Sequence, residues 1–126
     1  MDVTPIVPAG KQVIDRYGTD GFWVAGVLFP GSILLFPDVT QDWAPTSMAE
    51  VTAESLAGII AHGGVEILLL GCGRRMAMVP PALRAALKQA GIVIDAMDTG
   101  AACRTYSVLL GEGRRVAAAL LPVTAS

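Results

Sequence analysis

Apolar and polar positions along the chain change rhythm near Phe36. Before it, short β-branched or aromatic runs are broken by turn residues. Val13-Ile14-Asp15-Arg16-Tyr17, Gly21-Phe22-Trp23-Val24, Val27-Leu28-Phe29 and Ser32-Ile33-Leu34-Leu35-Phe36 are separated by Gly18 to Asp20, Ala25-Gly26 and Pro30-Gly31. This predicts a meander of antiparallel strands, with the last and most apolar run entering a larger sheet. The stretch Met1 to Gly10 has no periodicity and reads as an irregular lead-in.

After Phe36 helical and strand patterns alternate. Pro37 to Pro45 reads as a polar loop carrying Asp38, Asp42 and Trp43. Thr52 is placed as a helix cap with Glu54 in the first turn, where the helix dipole favours negative charge. Leu56, Ile59 and Ile60 fall on one face, and Gly63-Gly64 stops that helix. Val65 to Leu70 is a continuous apolar run, the pattern of a strand covered on both faces. It runs into the glycine-flanked turn Gly71-Cys72-Gly73. Pro80-Pro81 starts a second helix with Leu83 and Leu87 inward and Arg84 and Lys88 outward, ended by Gly91. Ile92 to Met97 is the next strand. Asp98 and Thr99 cap a third helix from Gly100 to Leu110 with Gly111 as its stop, and Arg115 to Leu121 is the last strand. Such alternation builds an α/β sheet with helices packed on it through right-handed crossovers. No linker or repeat divides the chain, so residues 1–126 are expected to form one domain with its core over about 13–122.

Several of these segments resemble a known family. They are Gly31-Ser32-Ile33-Leu34-Leu35-Phe36-Pro37, Glu66-Ile67-Leu68-Leu69-Leu70-Gly71-Cys72-Gly73 and Asp98-Thr99-Gly100-Ala101-Ala102-Cys103-Arg104-Thr105-Tyr106. The tail Gly111-Glu112-Gly113-Arg114-Arg115-Val116-Ala117-Ala118-Ala119-Leu120 follows in the same order. The chain is similar to the small domain shared by mitochondrial respiratory complex I assembly factor three and the adipogenesis-associated domain protein, in its bacterial form. The resemblance runs from Val13 to Pro122. It implies a three-layer α/β/α fold with a mixed central sheet and an N-terminal antiparallel portion. It implies no established catalytic activity, and a role in protein-complex assembly. Cys72 stands where the family often has threonine.

Composition narrows the function classes. With 53% hydrophobic and 16% charged residues over 126 positions, the chain can bury a real core. A net charge of -2 and a pI near 5.2 argue against nucleic acid, which demands clustered positive charge. No apolar run approaches the roughly 20 residues of a membrane span. Neither a secretion signal nor a transit sequence is legible, so a cytoplasmic protein with reduced Cys72 and Cys103 is expected. One histidine and two distant cysteines lack metal-ligand spacing, so neither metal nor other cofactor is expected.

If the strands ending at Leu70 and Met97 are parallel neighbours, their following loops share one rim of the sheet. The candidate ligand-binding residues are then Gly71, Cys72, Gly73, Arg74, Asp98, Thr99 and Arg104. Phe36-Pro37-Asp38 joins them if its strand also runs parallel. The glycine turn can bring backbone amides close to an anion, or be an ordinary tight turn. Arg104 either clamps such an anion or pairs with Asp98. Cys72 has no base within reach, since His62 falls on the opposite rim. Tyr106 is expected to pack in the core with one hydrogen-bond partner. Trp43 is either an exposed contact residue or core, while Phe22 and Trp23 are read as core. Two functions remain: a non-enzymatic module for a protein partner, and a small-anion-binding enzyme or sensor.

Overall fold

The N-terminal runs form β1 (Ile14–Gly18), β2 (Gly21–Val24) and β3 (Val27–Phe29), an antiparallel sheet in that order. These and the elements below come from a computed structural model describing residues 11–126, so the lead-in at residues 1–10 lies outside the described residues. The β2–β3 hairpin turns on Ala25 (φ 49°) and Gly26 (φ 81°). Two successive left-handed residues match the right-handed twist of a tight hairpin.

β4 (Ile33–Leu35) enters a five-stranded sheet and pairs with β5 (Thr40–Asp42), β5 occupying part of the expected loop. Two short 3-10 turns, Met48–Glu50 and Glu54–Leu56, lead into α1 (Ala57–His62). Thr52 accepts from Ser55 N–H at 3.1 Å and the Ser55 hydroxyl accepts from Thr52 N–H in return, but the residues that precede the second 3-10 turn and α1 are Ala53 and Leu56, so Thr52 is not the cap of α1. Leu56 and Ile59 are buried but Ile60 is exposed, because the tight first turn rotates it off the inward face.

Then follow β6 (Ile67–Gly71), α2 (Pro81–Gln89), β7 (Val93–Met97), α3 (Thr99–Gly111) and β8 (Val116–Leu120). Asp98 caps α3 by accepting from Ala101 N–H at 3.1 Å. The left-handed residue that ends α3 is Gly113, not Gly111, so the helix runs further than expected.

The sheet order is β5-β4-β8-β6-β7. β6 is parallel to both β7 and β8, whereas β4 is antiparallel to β8. The pleat sends alternate side chains to opposite faces and builds two cores. Leu34, Leu68, Leu70 and Ala119 face α1 and α2, while Ile33, Leu35, Leu69 and Ala118 face α3 and the β1–β3 sheet. Thr99, Ala102, Cys103, Tyr106 and Leu110 form the buried stripe of α3 at helical spacing. The result is the expected three-layer α/β fold with a mixed central sheet and an antiparallel N-terminal portion.

The direction of β4 corrects one expectation. Because β4 runs against β6, β7 and β8, Phe36-Pro37-Asp38 lies at the rim opposite the glycine turn.

Candidate functional site

The glycine turn is a densely bonded junction of the backbone. Cys72 N–H donates to Met97 O at 2.8 Å, Leu121 N–H to Gly71 O at 3.0 Å, and Arg74 N–H to Ala125 O at 2.9 Å. The buried Thr99 hydroxyl accepts from Gly73 N–H at 2.8 Å and donates to Leu121 O at 2.7 Å. Three chain segments after β6, β7 and β8 are thereby tied together. A Cβ on Gly71 would come within 3.0 Å of the Thr99 hydroxyl, and one on Gly73 within 2.3 Å of Ala125 O. Both glycines are required by close approach of protein to protein.

The sequence-predicted residues divide into three groups. Gly71, Gly73, Asp98 and Thr99 do meet, as this knot. Cys72 points into the core beneath α2, and the Arg74 backbone bonds the tail while its side chain is exposed. Arg104 is exposed, and its Nη1 donates to the Tyr17 hydroxyl at 2.7 Å, linking α3 to β1. No Asp98–Arg104 salt bridge forms among the described residues, where the ion pairs are His62–Asp38 and Arg115–Glu66. Asp98 is already engaged by the Ala101 amide it caps.

Trp43 is buried, and its indole N–H donates to Ser55 O at 2.6 Å, so it is core rather than a contact residue. Phe22 is buried as read; Trp23 is half-buried, with Arg16 over its ring at 4.8 Å. Tyr106 is fully buried, yet its hydroxyl has no partner among the described residues. Burial pushes the Cys103 thiol up to about 12, and pushes Cys72 up as well, so neither is primed as a thiolate.

Two of the exposed apolar side chains lie close together on the rim of the glycine turn. Met76 and Met78 stand out from the segment between β6 and α2, 61% and 86% exposed. They border a cavity of about 420 Å3 that Arg84, Asp95 and Ala96 also line, beside edge strand β7. The Arg84 guanidinium donates to Ile94 O at 2.9 Å, covering part of that open edge.

The opposite rim holds the groups that the sequence reading did not assemble. Asp38 follows β4, His62 ends α1, and Arg114 and Arg115 lead into β8; with Lys11 they line a cavity of about 350 Å3. His62 stacks on Phe36 with ring centroids 4.0 Å apart and planes 7° from parallel. Its Nδ1 faces Gly63 O at 2.9 Å and its Nε2 faces Asp38 Oδ1 at 2.7 Å. Two acceptors face the ring, so the imidazolium can serve both where the neutral ring serves one, which favours the charged form. The Gly63 carbonyl first, then the Asp38 carboxylate, raise the His62 pKa against burial, and the same hydrogen bond holds Asp38 below its usual value.

The sign of the linkage follows. His62 contributes stability that is complete below its usual 6.5 and fades as pH rises through its raised folded value. Asp38 contributes stability that is complete above 3.8 and fades as pH falls. Urea unfolding of the wild type is therefore expected to show greater stability at pH 5.5 than at pH 8.5, and His62→Gln should shrink that difference. An undiminished difference in the variant would assign the pH dependence to other groups.

Fold and rims together define a three-layer mixed α/β domain, with a backbone knot at one end of its sheet and a charged cavity at the other. Among the described residues no group of three or more His, Cys, Asp or Glu side chains is placed to hold a metal, and no helix is long and apolar enough to cross a membrane. The chain belongs to the family described as Protein of unknown function (DUF498/DUF598), whose model matches residues 14–121. It is 38% identical over 116 residues to an uncharacterized protein of Rhodobacter capsulatus, covering 91% of this chain and 88% of that protein. It is 33% identical over 110 residues to the NADH dehydrogenase (ubiquinone) 1 alpha subcomplex assembly factor 3 of Mus musculus, covering 86% of this chain. The chain spans only 60% of the length of that assembly factor. The solution structure of a Bordetella pertussis protein described as an Mth938-like domain matches with a TM-score of 0.84 and 29% identity, over 100% of this chain and 95% of that one. The family resemblance carried by the Gly-Cys-Gly and Asp-Thr-Gly segments is thereby confirmed.

Proposed function

We propose that this domain is a non-enzymatic binding module that engages a protein partner in an assembly role, in the cytoplasm. The observation that carries the reading is the exposure of Met76 and Met78 around the cavity beside β7. Exposed methionines flanking a largely apolar recess suit an adaptable contact surface, because the thioether chain reshapes itself to a partner at little cost. Arg84 occupies a β7 carbonyl and Asp95 is exposed on the same strand, which disfavours docking by an added strand. The partner is accordingly expected to insert an apolar side chain into the recess. Relatives named as assembly factors carry the same domain, which supports the assembly role. The high pKa of both thiols and the full engagement of the His62 nitrogens favour a non-catalytic reading.

The test is a cross-linking capture from the native host using wild-type protein and Met76→Glu/Met78→Glu. Both positions are exposed, so the variant should fold, which circular dichroism would verify. Wild type should retain a discrete species that the variant loses at least about tenfold, as expected when charge enters an apolar contact. Equal recovery by both proteins, or by neither, would count against the surface.

A further inference from the structure

We propose that the cavity between the end of β4 and the start of β8 is a binding site for a small organic anion, one bearing a carboxylate or phosphate group on an apolar body. The site lies on the rim opposite Met76 and Met78, and the proposal stands or falls independently of the protein-binding reading.

Charge is the first argument. Lys11, His62, Arg114 and Arg115 converge on this cavity from three separate stretches of chain. Against the three Lys and Arg side chains stand two carboxylates, Asp38 beside His62 and Glu66 on Arg115, a local excess of one positive charge with His62 neutral and two with it protonated, in a chain whose net charge is -2 with His neutral. Three of the nine Lys and Arg residues and the single histidine thus gather at one recess. Neither Lys11 nor Arg114 forms an ion pair among the described residues. Both are exposed side chains that can turn toward an acceptor in the cavity. Converging potential in a low-dielectric recess concentrates anions there, where scattered surface lysines would not.

The second argument is the shape and lining. Val65, Leu110 and Val116 are buried apolar residues that also line the cavity, while the cationic side chains lining it are exposed. That arrangement seats an apolar body inward and holds its charged head at the rim. A volume of about 350 Å3 is near the lower end of small-molecule sites and excludes a dinucleotide. The cavities beside Cys72 and beside β7 are of similar size, so size alone does not single out this one. The convergence of charge does.

The third argument is preorganisation. His62 is held by a stacked ring, a carbonyl and a carboxylate, so one titratable ring is fixed in place before any ligand arrives. Gly63 and Gly64 adopt left-handed conformations at the cavity wall, with open space where their side chains would stand. The wall is therefore bare backbone beside the fixed ring.

The probes are phenyl phosphate and inorganic phosphate, titrated at low ionic strength into isotope-labelled full chain and followed by amide chemical shifts. Phenyl phosphate should shift Gly63, Gly64 and Val116 saturably, with a Kd on the order of 1 mM or tighter, and inorganic phosphate should bind several-fold more weakly. Lys11→Gln/Arg114→Gln should weaken binding by about tenfold or more. Arg74→Gln/Arg75→Gln removes the same charge from the opposite rim and should leave affinity within about twofold. All four positions are exposed, and the spectra themselves report whether each variant is folded. Non-saturating shifts, equal weakening by both double variants, or equal affinity for the two probes would overturn the assignment.

Discussion

Thr99→Val should lower the unfolding free energy by about 2–6 kcal/mol, although it only exchanges a hydroxyl for a methyl group. The hydroxyl is fully buried and serves two backbone groups at once, accepting from Gly73 N–H and donating to Leu121 O. Valine leaves both groups dry and unpaired, at about 1–3 kcal/mol each. It also places a methyl at 2.7–2.8 Å from atoms that had been hydrogen-bonded, so the segments after β6 and β8 must separate. Thr99→Ser keeps the hydroxyl and loses one methyl, at a cost of about 1 kcal/mol. Urea midpoints of the three proteins decide the matter. A valine variant no weaker than the serine one would mean that the junction is held by packing alone.

Gly73→Ala is the second large effect, at about 2–4 kcal/mol. Gly73 has φ 96°, a conformation that costs an L-residue about 1–2 kcal/mol. In addition its new Cβ would meet Ala125 O at 2.3 Å, and the contact is with backbone rather than a yielding side-chain tip. The C-terminal segment must move, and the Arg74 N–H to Ala125 O bond goes with it. Gly91 is the control, because it is also left-handed (φ 80°) but has open space around the added carbon. Gly91→Ala should cost only the conformational part, about 1 kcal/mol. Equal losses from the two substitutions would show that docking of the tail adds nothing.

Most of the architecture could be read from the chain because its runs are unambiguous. Leu68 to Leu70 and Val116 to Leu120 are apolar enough to be central strands, and Pro81 and Asp98 mark helix starts by chemistry that operates locally. Thr40-Gln41-Asp42 could not be found that way. It is an edge strand with polar residues, its pairing supplied by β4 rather than by its own pattern. The direction of β4 was equally hidden, since an apolar run looks the same whether it lies parallel or antiparallel to its neighbour. That single reversal moved Asp38 across the sheet to His62. The charged cavity was therefore invisible, its groups spread from Lys11 to Arg115 and joined only by topology. His62 gave no signal beyond its uniqueness. Arg104 drew attention as a charge in an apolar helix, but the 87 residues separating it from Tyr17 place that partner beyond any local rule.

The two ends of the central sheet are made from different materials. At the end carrying Gly71, Gly73 and Thr99, amides and carbonyls from three segments are laced to one another and to a buried hydroxyl, bonds that neither salt nor mild acid can reach. At the end carrying Asp38, His62, Glu66 and Arg115, the backbone bonds are joined by two ion pairs between exposed side chains, which both can modulate. The molecule thus has an anvil and a tuning peg: solution conditions can adjust one extremity without disturbing the other. A change in ionic strength or proton concentration would be registered at the soft extremity while the hard one keeps β6, β7 and β8 in register.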